Sequence, residues 1–255
     1  MTTVYWAISD SVTMTGRGLR HLTRSIDSLL TSVLLPVLLM LVFVYIFGGA
    51  IAGRDAYVNY VVPGIILLCC GYSSTATAVG VTNDMVTGVI DRFRSLPIHS
   101  SSVLTGHVAA SVFRNAIATV LVLLVAVVAG FRPNASALEW LAAGAFLLLF
   151  VLAMSWLAVC AGLLARNADA AGGFTFIALF LPYLSSAFVP TETMPKALRG
   201  IADHQPITPM IETMRGLLRG TPIGDSAWLS VAWFGGILVV CYLGAGVLFK
   251  RRTAR

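Results

Sequence analysis

The chain has 255 residues, of which 58% are hydrophobic and only 11% are charged. A soluble domain carries about a quarter charged residues, so this composition cannot cover a globular surface with polar groups and excludes a soluble protein. The net charge of +6 does not indicate nucleic-acid binding, because the basic residues flank apolar segments in the manner of the positive-inside rule.

Six apolar runs are long enough to cross the hydrocarbon core as helices. Pro182 interrupts the fifth run, and Pro36 and Pro63 lie in the first two, which membrane helices tolerate when neighbours satisfy the freed carbonyl groups. We therefore predict an all-α integral membrane fold with six transmembrane helices, at residues 29–48, 58–82, 106–130, 138–165, 171–190 and 227–249.

The predicted organisation has three parts. A cytoplasmic N-terminus occupies residues 1–28, the transmembrane domain residues 29–249, and a basic tail residues 250–255. With the N-terminus inside, ten Lys and Arg residues fall on inner segments and six on outer ones. This asymmetry predicts a multi-pass protein of the cell membrane with both termini in the cytoplasm.

Residues 11–28 form the first of three notable polar segments. Leu19, Leu22 and Ile26 recur at helical spacing, while basic side chains lie on other faces. This pattern predicts an amphipathic interface helix in the inner headgroup layer, carrying Arg17, Arg20 and Arg24.

The second polar segment connects the second and third predicted spans. Over residues 83–100, Met85, Val86, Val89, Ile90 and Phe93 make an apolar stripe with charged residues off it, and Pro97 ends the helical pattern because Leu96 before it disfavours the helical region. We predict a short amphipathic helix at the inner surface.

The third polar segment, residues 191–222, lies between the fifth and sixth predicted spans. Pro195 starts one short helical pattern, and Thr208 with Pro209 starts another as N-cap and first helical residue. Gly220 is placed to end the second helix. Two short helices with apolar faces predict a re-entrant hairpin in the outer leaflet.

Ionisable residues inside a membrane usually mark ion pathways, but here only Arg114 lies well within a predicted span. Three interpretations of Arg114 stay open: snorkelling to the headgroups, a structural hydrogen bond, and contact with a substrate. No Asp or Glu lies at mid-membrane, which disfavours ion-coupled transport. The sequence also lacks a G-x-x-x-x-G-K-[ST] loop, so ATP hydrolysis would belong to a separate chain.

No catalytic or metal site is indicated. The four histidines lie at or outside the span boundaries, and the four cysteines fall in apolar runs without metal-type spacing. We predict a transport subunit that is not itself an enzyme.

Two motifs carry a family resemblance. The cytoplasmic segment contains Gly88-Val-Ile-Asp-Arg-Phe-Arg-Ser-Leu-Pro97. The external segment contains Phe188-Val-Pro190, Met194-Pro195, Gln205-Pro206, Thr208, Met214-Arg-Gly-Leu217 and Gly220. Together with the six-span plan, these motifs resemble ABC-2 type exporter permeases, in the branch of the daunorubicin-resistance permeases.

The resemblance implies two permease chains, as a homodimer or a heterodimer, and two ATPase chains that bind ATP and Mg²⁺, with no cofactor on this chain. The 83–100 segment would be a coupling helix seated in the ATPase, with the N-terminal helix beside it. The coupling residues would be Asp84, Gly88, Asp91, Arg92, Arg94, Leu96 and Pro97.

Aromatic and hydroxyl side chains suit an amphipathic or lipid-like cargo, although small hydroxyl residues also simply pack membrane helices together. Candidate pathway residues are Tyr72, Ser73, Thr77, Arg114, Phe176, Tyr183 and Ser186. Candidate residues of the external segment are Pro190, Pro195, Pro206, Thr208 and Arg215.

The predicted function is therefore the membrane subunit of an ATP-driven exporter of a hydrophobic drug or lipid-like substrate. One alternative keeps the family and changes the cargo to a polysaccharide or glycolipid. A second alternative is a channel or facilitator that needs no ATPase, and a third is a scaffold or membrane enzyme.

Overall fold

The computed structural model describes residue 16 and residues 26–51, 53–88 and 100–253. These ranges contain helices and no strand. They also contain a π-helical turn at Phe43–Phe47 and a 3-10 turn at Thr191–Thr193. The helices are α1 (Ile26–Val42), α2 (Gly48–Ile51), α3 (Arg54–Val86), α4 (Ser100–Val128), α5 (Ala137–Leu164), α6 (Ala168–Gly172), α7 (Phe174–Tyr183), α8 (Lys196–His204), α9 (Ile207–Arg219) and α10 (Ser226–Thr253).

Five helical stretches in the described part of the chain are long and apolar enough to cross a membrane. They confirm five of the predicted spans, with ends displaced by a few residues, as Val33–Ile51, Asp55–Val86, Val103–Val128, Ala137–Leu164 and Ser226–Arg252. Several apolar helices of this length are typical of a multi-pass membrane protein.

The fifth predicted span, residues 171–190, differs from the structure. Its helical part is the shorter apolar stretch Ala168–Tyr183, divided between α6 and α7 near Gly172 and Gly173. The helix then ends after Pro182, and residues 184–189 form turns. Glycine weakens a helix interior and proline removes a backbone donor, which accounts for both interruptions.

Helix α3 lies at the centre of the bundle. It packs against α1, α4, α5, α6, α7 and α9, and every residue from Val61 to Gly71 is buried. A helix that is apolar on all faces is buried on all faces, so α3 is the element on which the others are arranged.

Small residues allow two neighbours to approach α3 closely. A Cβ atom on Gly162 of α5 would lie 2.5 Å from the Ala78 carbonyl oxygen, and one on Gly64 would lie 2.7 Å from the Ala187 Cβ atom. At the first crossing the Thr82 hydroxyl donates to the Gly162 carbonyl over 2.9 Å. Close backbone approach at small residues is how membrane helices gain packing energy without a hydrophobic driving force.

Helix α10 packs along α5 through aromatic pairs. The rings of Phe150 and Phe234 lie 5.0 Å apart, and those of Trp156 and Tyr242 lie 4.9 Å apart, both edge to face. At the end of α5 the Arg252 guanidinium donates to the Leu163 carbonyl over 2.5 Å. This contact satisfies a carbonyl that has no partner within its helix and places the C-terminal ends of α5 and α10 side by side.

The close crossing at Gly162 generates a stability prediction. Gly162→Ala should destabilise the protein by about 1–3 kcal/mol, because the added methyl group meets backbone atoms of α3. Unfolding is followed on heating by the reaction of the cysteines, three buried and one half-buried, with a thiol-reactive fluorophore. Gly144→Ala on the same helix, where a Cβ atom meets open space, is the matched control. An equal unfolding temperature in both variants would contradict a tight α3–α5 crossing.

Candidate functional site

The predicted coupling segment begins in the last turn of α3. Asp84, placed by the sequence pattern in a separate short helix, instead lies in the last turn of α3, which continues to Val86. Gly88 then adopts φ +69°, the left-handed conformation that glycine favours just after a helix end. The remaining coupling candidates (Asp91, Arg92, Arg94, Leu96 and Pro97) and the interface residues (Arg17, Arg20 and Arg24) lie outside the described residues.

A side-chain pair joins the two helices that this segment connects. The Nε2 atom of His107 on α4 lies 3.0 Å from the Asp84 Oδ2 atom on α3, and both side chains are largely covered. The contact is a hydrogen bond that becomes an ion pair when His107 is protonated. It fixes the end of α3 against α4, so a force on the segment between them reaches both helices.

The external segment is held by Arg215 on α9. Its guanidinium donates to the Ser186 carbonyl over 2.8 Å and to the Tyr60 carbonyl over 3.2 Å, and it pairs with Glu212. It also stacks 3.8 Å from the centre of the Tyr60 ring. Arg215 is buried, so all of its bonding capacity is turned inward. We call Arg215, Glu212, Tyr60 and Ser186 the Arg215 anchor.

The turns after α7 depend on side chains for their hydrogen bonds. Tyr60 donates to the Ser186 carbonyl and Tyr57 to the Phe188 carbonyl, both over 2.8 Å. The Gln205 amide donates to the Leu184 carbonyl over 2.6 Å and the Leu181 carbonyl over 3.1 Å. Non-helical backbone among apolar helices requires such internal partners, and these side chains supply them.

The two short helices of the external segment largely match the sequence pattern. Pro195 directly precedes α8, and Gly220 ends α9 with φ +65°. The predicted N-cap at Thr208 is wrong, because α9 begins at Ile207 after Pro206. The Thr208 hydroxyl instead donates to the Ala202 carbonyl of α8. Helix α9 is buried against α3, α5 and α10, whereas α8 is mostly exposed. Pro190 directly precedes the 3-10 turn at Thr191–Thr193.

The pathway candidates fall into three places. Ser73 contacts Arg114 where α3 packs on α4, Thr77 is buried one turn further along α3, and Tyr72 is half-buried. Phe176 and Tyr183 are exposed on α7, with 69% and 39% of their side-chain surface accessible. Ser186 belongs to the Arg215 anchor through its carbonyl group. The seven residues do not converge on one surface of the single chain.

An aromatic row joins α7 to α1. The rings of Tyr183 and Phe188 stack 4.9 Å apart, Phe188 and Phe43 lie 4.4 Å apart, and Phe43 and Phe47 lie 5.5 Å apart. Phe43 and Phe47 bound the π-helical turn, and such turns are frequent at functional sites. Phe188 is buried within this row, whereas Tyr183 and Phe47 at its two ends are exposed.

Several features of the site were not predicted from the sequence. They are the contacts of Tyr57 and Tyr60, the ring contacts of Phe188 and the role of His107. The tyrosines sit near the start of the second predicted span, where membrane helices often carry aromatic residues. The sequence did hold a signal for the contact between His107 and Asp84. An acid lies near the end of one predicted helix, and a base lies near the start of the next, antiparallel helix.

The Arg215 anchor generates a second stability prediction. Arg215→Lys should destabilise the protein by about 2 kcal/mol or more, because lysine cannot reproduce the planar fork that serves two carbonyls and Glu212. Thiol-reactive thermal unfolding measures the change. Arg219→Lys, one turn along α9 and exposed, should leave the unfolding temperature unchanged. Rescue of full stability by Arg215→Lys would show that charge alone suffices.

Comparison with known proteins places this architecture in a family. Residues 11–218 match the ABC-2 type transporter family. The chain is 29% identical over 251 residues to the daunorubicin resistance ABC transporter permease protein DrrB1 of Streptomyces coeruleorubidus, covering 98% of this chain and 86% of that one. It is 24% identical over 251 residues to the probable doxorubicin resistance ABC transporter permease protein DrrC of Mycobacterium tuberculosis, covering 96% and 90%. The chain belongs to the ABC-2 type transporter family and is a membrane permease of that family.

Proposed function

We propose that this permease is the transmembrane subunit of an ATP-driven exporter that moves a hydrophobic drug or lipid-like molecule outward across the cytoplasmic membrane. The observation that carries the proposal is similarity to drug-resistance permeases over nearly the whole chain. Because the similarity covers both the cytoplasmic and the external motif, it cannot be attributed to a shared hydrophobic composition alone.

The energy source in this proposal is a separate ATPase that binds ATP and Mg²⁺. The sequence contains no phosphate-binding loop of the ATPase type, and none of its Asp or Glu residues lies in the middle of an apolar helix. The ATPase would contact the 83–100 segment. The contact between Asp84 and His107 would pass its movement to α3 and α4 together.

The proposed topology has six crossings, with both termini in the cytoplasm. The stretch formed by α6 and α7 supports a sixth crossing because it follows α3 in the antiparallel direction. A Cβ atom on Gly71 would contact the Ala178 carbonyl at 3.4 Å, and Phe188 accepts a hydrogen bond from Tyr57 near the start of α3. About 16 helical residues rise roughly 24 Å, which the turns after Tyr183 extend.

The cargo in this proposal moves along apolar and aromatic surfaces. The exposed rings of Phe176 and Tyr183 and the aromatic row beside them suit a planar or acyl-chain molecule. A second permease chain, as a homodimer or a heterodimer, would face this surface and enclose the pathway. Membrane lipid would cover the remaining apolar faces.

Charge reversal in the coupling segment tests the ATPase partnership. When the tagged permease is purified from its native membrane in mild detergent, an ATP-hydrolysing chain should accompany it. Arg92→Glu with Arg94→Glu should abolish this association, because both charges lie in the segment proposed to enter the ATPase. The loss is measured as ATPase activity recovered per permease.

The matched control reverses two exposed external charges, Lys196→Glu with Arg219→Glu, and should retain the ATPase. Absence of any ATPase in several detergents, together with solute conduction by the permease alone in liposomes, would replace the exporter by a facilitator.

Cysteine labelling tests the topology. A membrane-impermeant maleimide should label Lys196→Cys in intact cells and label Arg251→Cys only after permeabilisation, because six crossings put these exposed positions on opposite sides. The native cysteines lie within the helices, so background labelling should be low. If α6 and α7 turned back without crossing, both labelling results would be reversed.

A further inference from the structure

Arg114 occupies an unusual place in the bundle. It is the middle residue of the 29-residue helix α4, and its side chain is only partly buried between exposed neighbours such as Phe113 and Ile117. The guanidinium extends across to α3, where Nη1 lies 3.5 Å from the Ser73 carbonyl oxygen, rather than along α4 towards His107. A charge at this depth is costly unless something compensates it.

The described residues around Arg114 do not saturate its bonding capacity. A guanidinium has five N–H donors, and the contact with Ser73 is at the outer limit of a hydrogen bond. Within the described part of the chain the buried Nε atom has no partner. Such a gap is rare for buried polar atoms in a folded protein.

Further unpaired polar atoms lie at the same level. Cys70 contacts Thr119, Ser73 contacts Arg114, and Asp84 contacts His107, so this stripe of α3 faces α4. Thr77 lies on the same stripe, one turn after Ser73. Among the described residues, the buried hydroxyl oxygens of Ser73 and Thr77 have no hydrogen-bond partner, which leaves two potential donors on the face of α3 that the guanidinium contacts.

The described part of the chain shows no carboxylate beside Arg114. The Asp and Glu residues in that part lie at the ends of the long apolar helices or outside them. The same holds for the described part of a second copy of the chain. A compensating anion would therefore come from another molecule in the membrane.

We propose that Arg114, with the hydroxyl groups of Ser73 and Thr77, binds the carboxylate or phosphate of an anionic amphiphile, and that such amphiphiles are the cargo of the transporter. This proposal rests on the proposed export function and narrows its substrate class. The guanidinium would supply a charge-assisted, forked contact for two anion oxygens. The hydroxyl groups would donate to the same anion, while the apolar surface of α4 covers the hydrocarbon part.

Two matched fluorescent probes test the site on the purified permease in nanodiscs. One is a dansyl-labelled undecanoate, and the other is a dansyl-labelled undecyl-trimethylammonium with the same chain and fluorophore. The wild type should bind the carboxylate about tenfold more tightly than the ammonium. Arg114→Gln should remove this preference, and Arg114→Lys should keep most of it.

Arg132→Gln, which removes one charge at the end of α4, should leave the preference intact. No preference in the wild type, or a preference that survives in Arg114→Gln, would overturn the site. If Arg114→Gln does not fold, the two probes are still compared on the wild type and on Arg114→Lys. Absence of a preference for the carboxylate in both proteins would then overturn the site.

Two further arms separate cargo from bilayer lipid, and the site from the exporter. The complex of permease and ATPase in inverted vesicles should move the carboxylate probe faster than the ammonium probe. The site would instead bind membrane lipid if two results occur together. The wild type, but not Arg114→Gln, would retain phosphatidylglycerol, and ATP would drive export of a neutral dye but not of the carboxylate probe. This outcome would overturn the proposed cargo class. If neither probe nor dye is moved, the export function is refuted. The binding comparison would still show whether the anion site exists.

Discussion

The structure depends on one constraint: backbone that leaves the helical state among apolar helices must find hydrogen bonds inside the protein. In the part of the chain that the structure describes, the turns after α7 show this at length. Side chains from α3 and from the external segment donate to the carbonyl groups there, with Arg215 and Tyr60 meeting at Ser186. The external segment is therefore part of the membrane bundle, and the central helix α3 is tied to it at one end.

The two ends of α3 are held in different ways. At its start, Tyr57 and Tyr60 fix the turns after α7, and at its last turn, Asp84 contacts His107. Between these ends α3 is buried on all sides from Val61 to Gly71 and packs closely on α5 at Gly162. In the proposed coupling, a helix so tightly packed would shift with its neighbours, because close-packed interiors transmit strain. Movement at the coupling segment would therefore reach the external anchor through α3.

The sequence predicted the helical spans well, because hydrophobic run length reports directly on the thickness of the membrane. It also located the short external helices from Pro195 and Gly220. It failed where tertiary contacts override local patterns. Thr208 looks like an N-cap, but its hydroxyl bonds to α8, and Asp84 continues α3 because of its contact with α4. The Arg215 anchor joins residues about 155 positions apart, which no local pattern reveals.

The arginines of the bundle differ in whether the fold itself uses their donors. Arg215 and Arg252 are basic residues whose donors are engaged by carbonyl groups of the fold, so their positions are explained by helix ends and turns. Arg114 differs because regular α4 backbone surrounds it and no helix end or turn needs its donors. A charge kept in the middle of the membrane at a cost, with no such structural use among the described residues, fits the anionic ligand that we propose. Under that proposal, cargo and permease would meet at the half-covered face of α4 and not only at the buried hydroxyl groups.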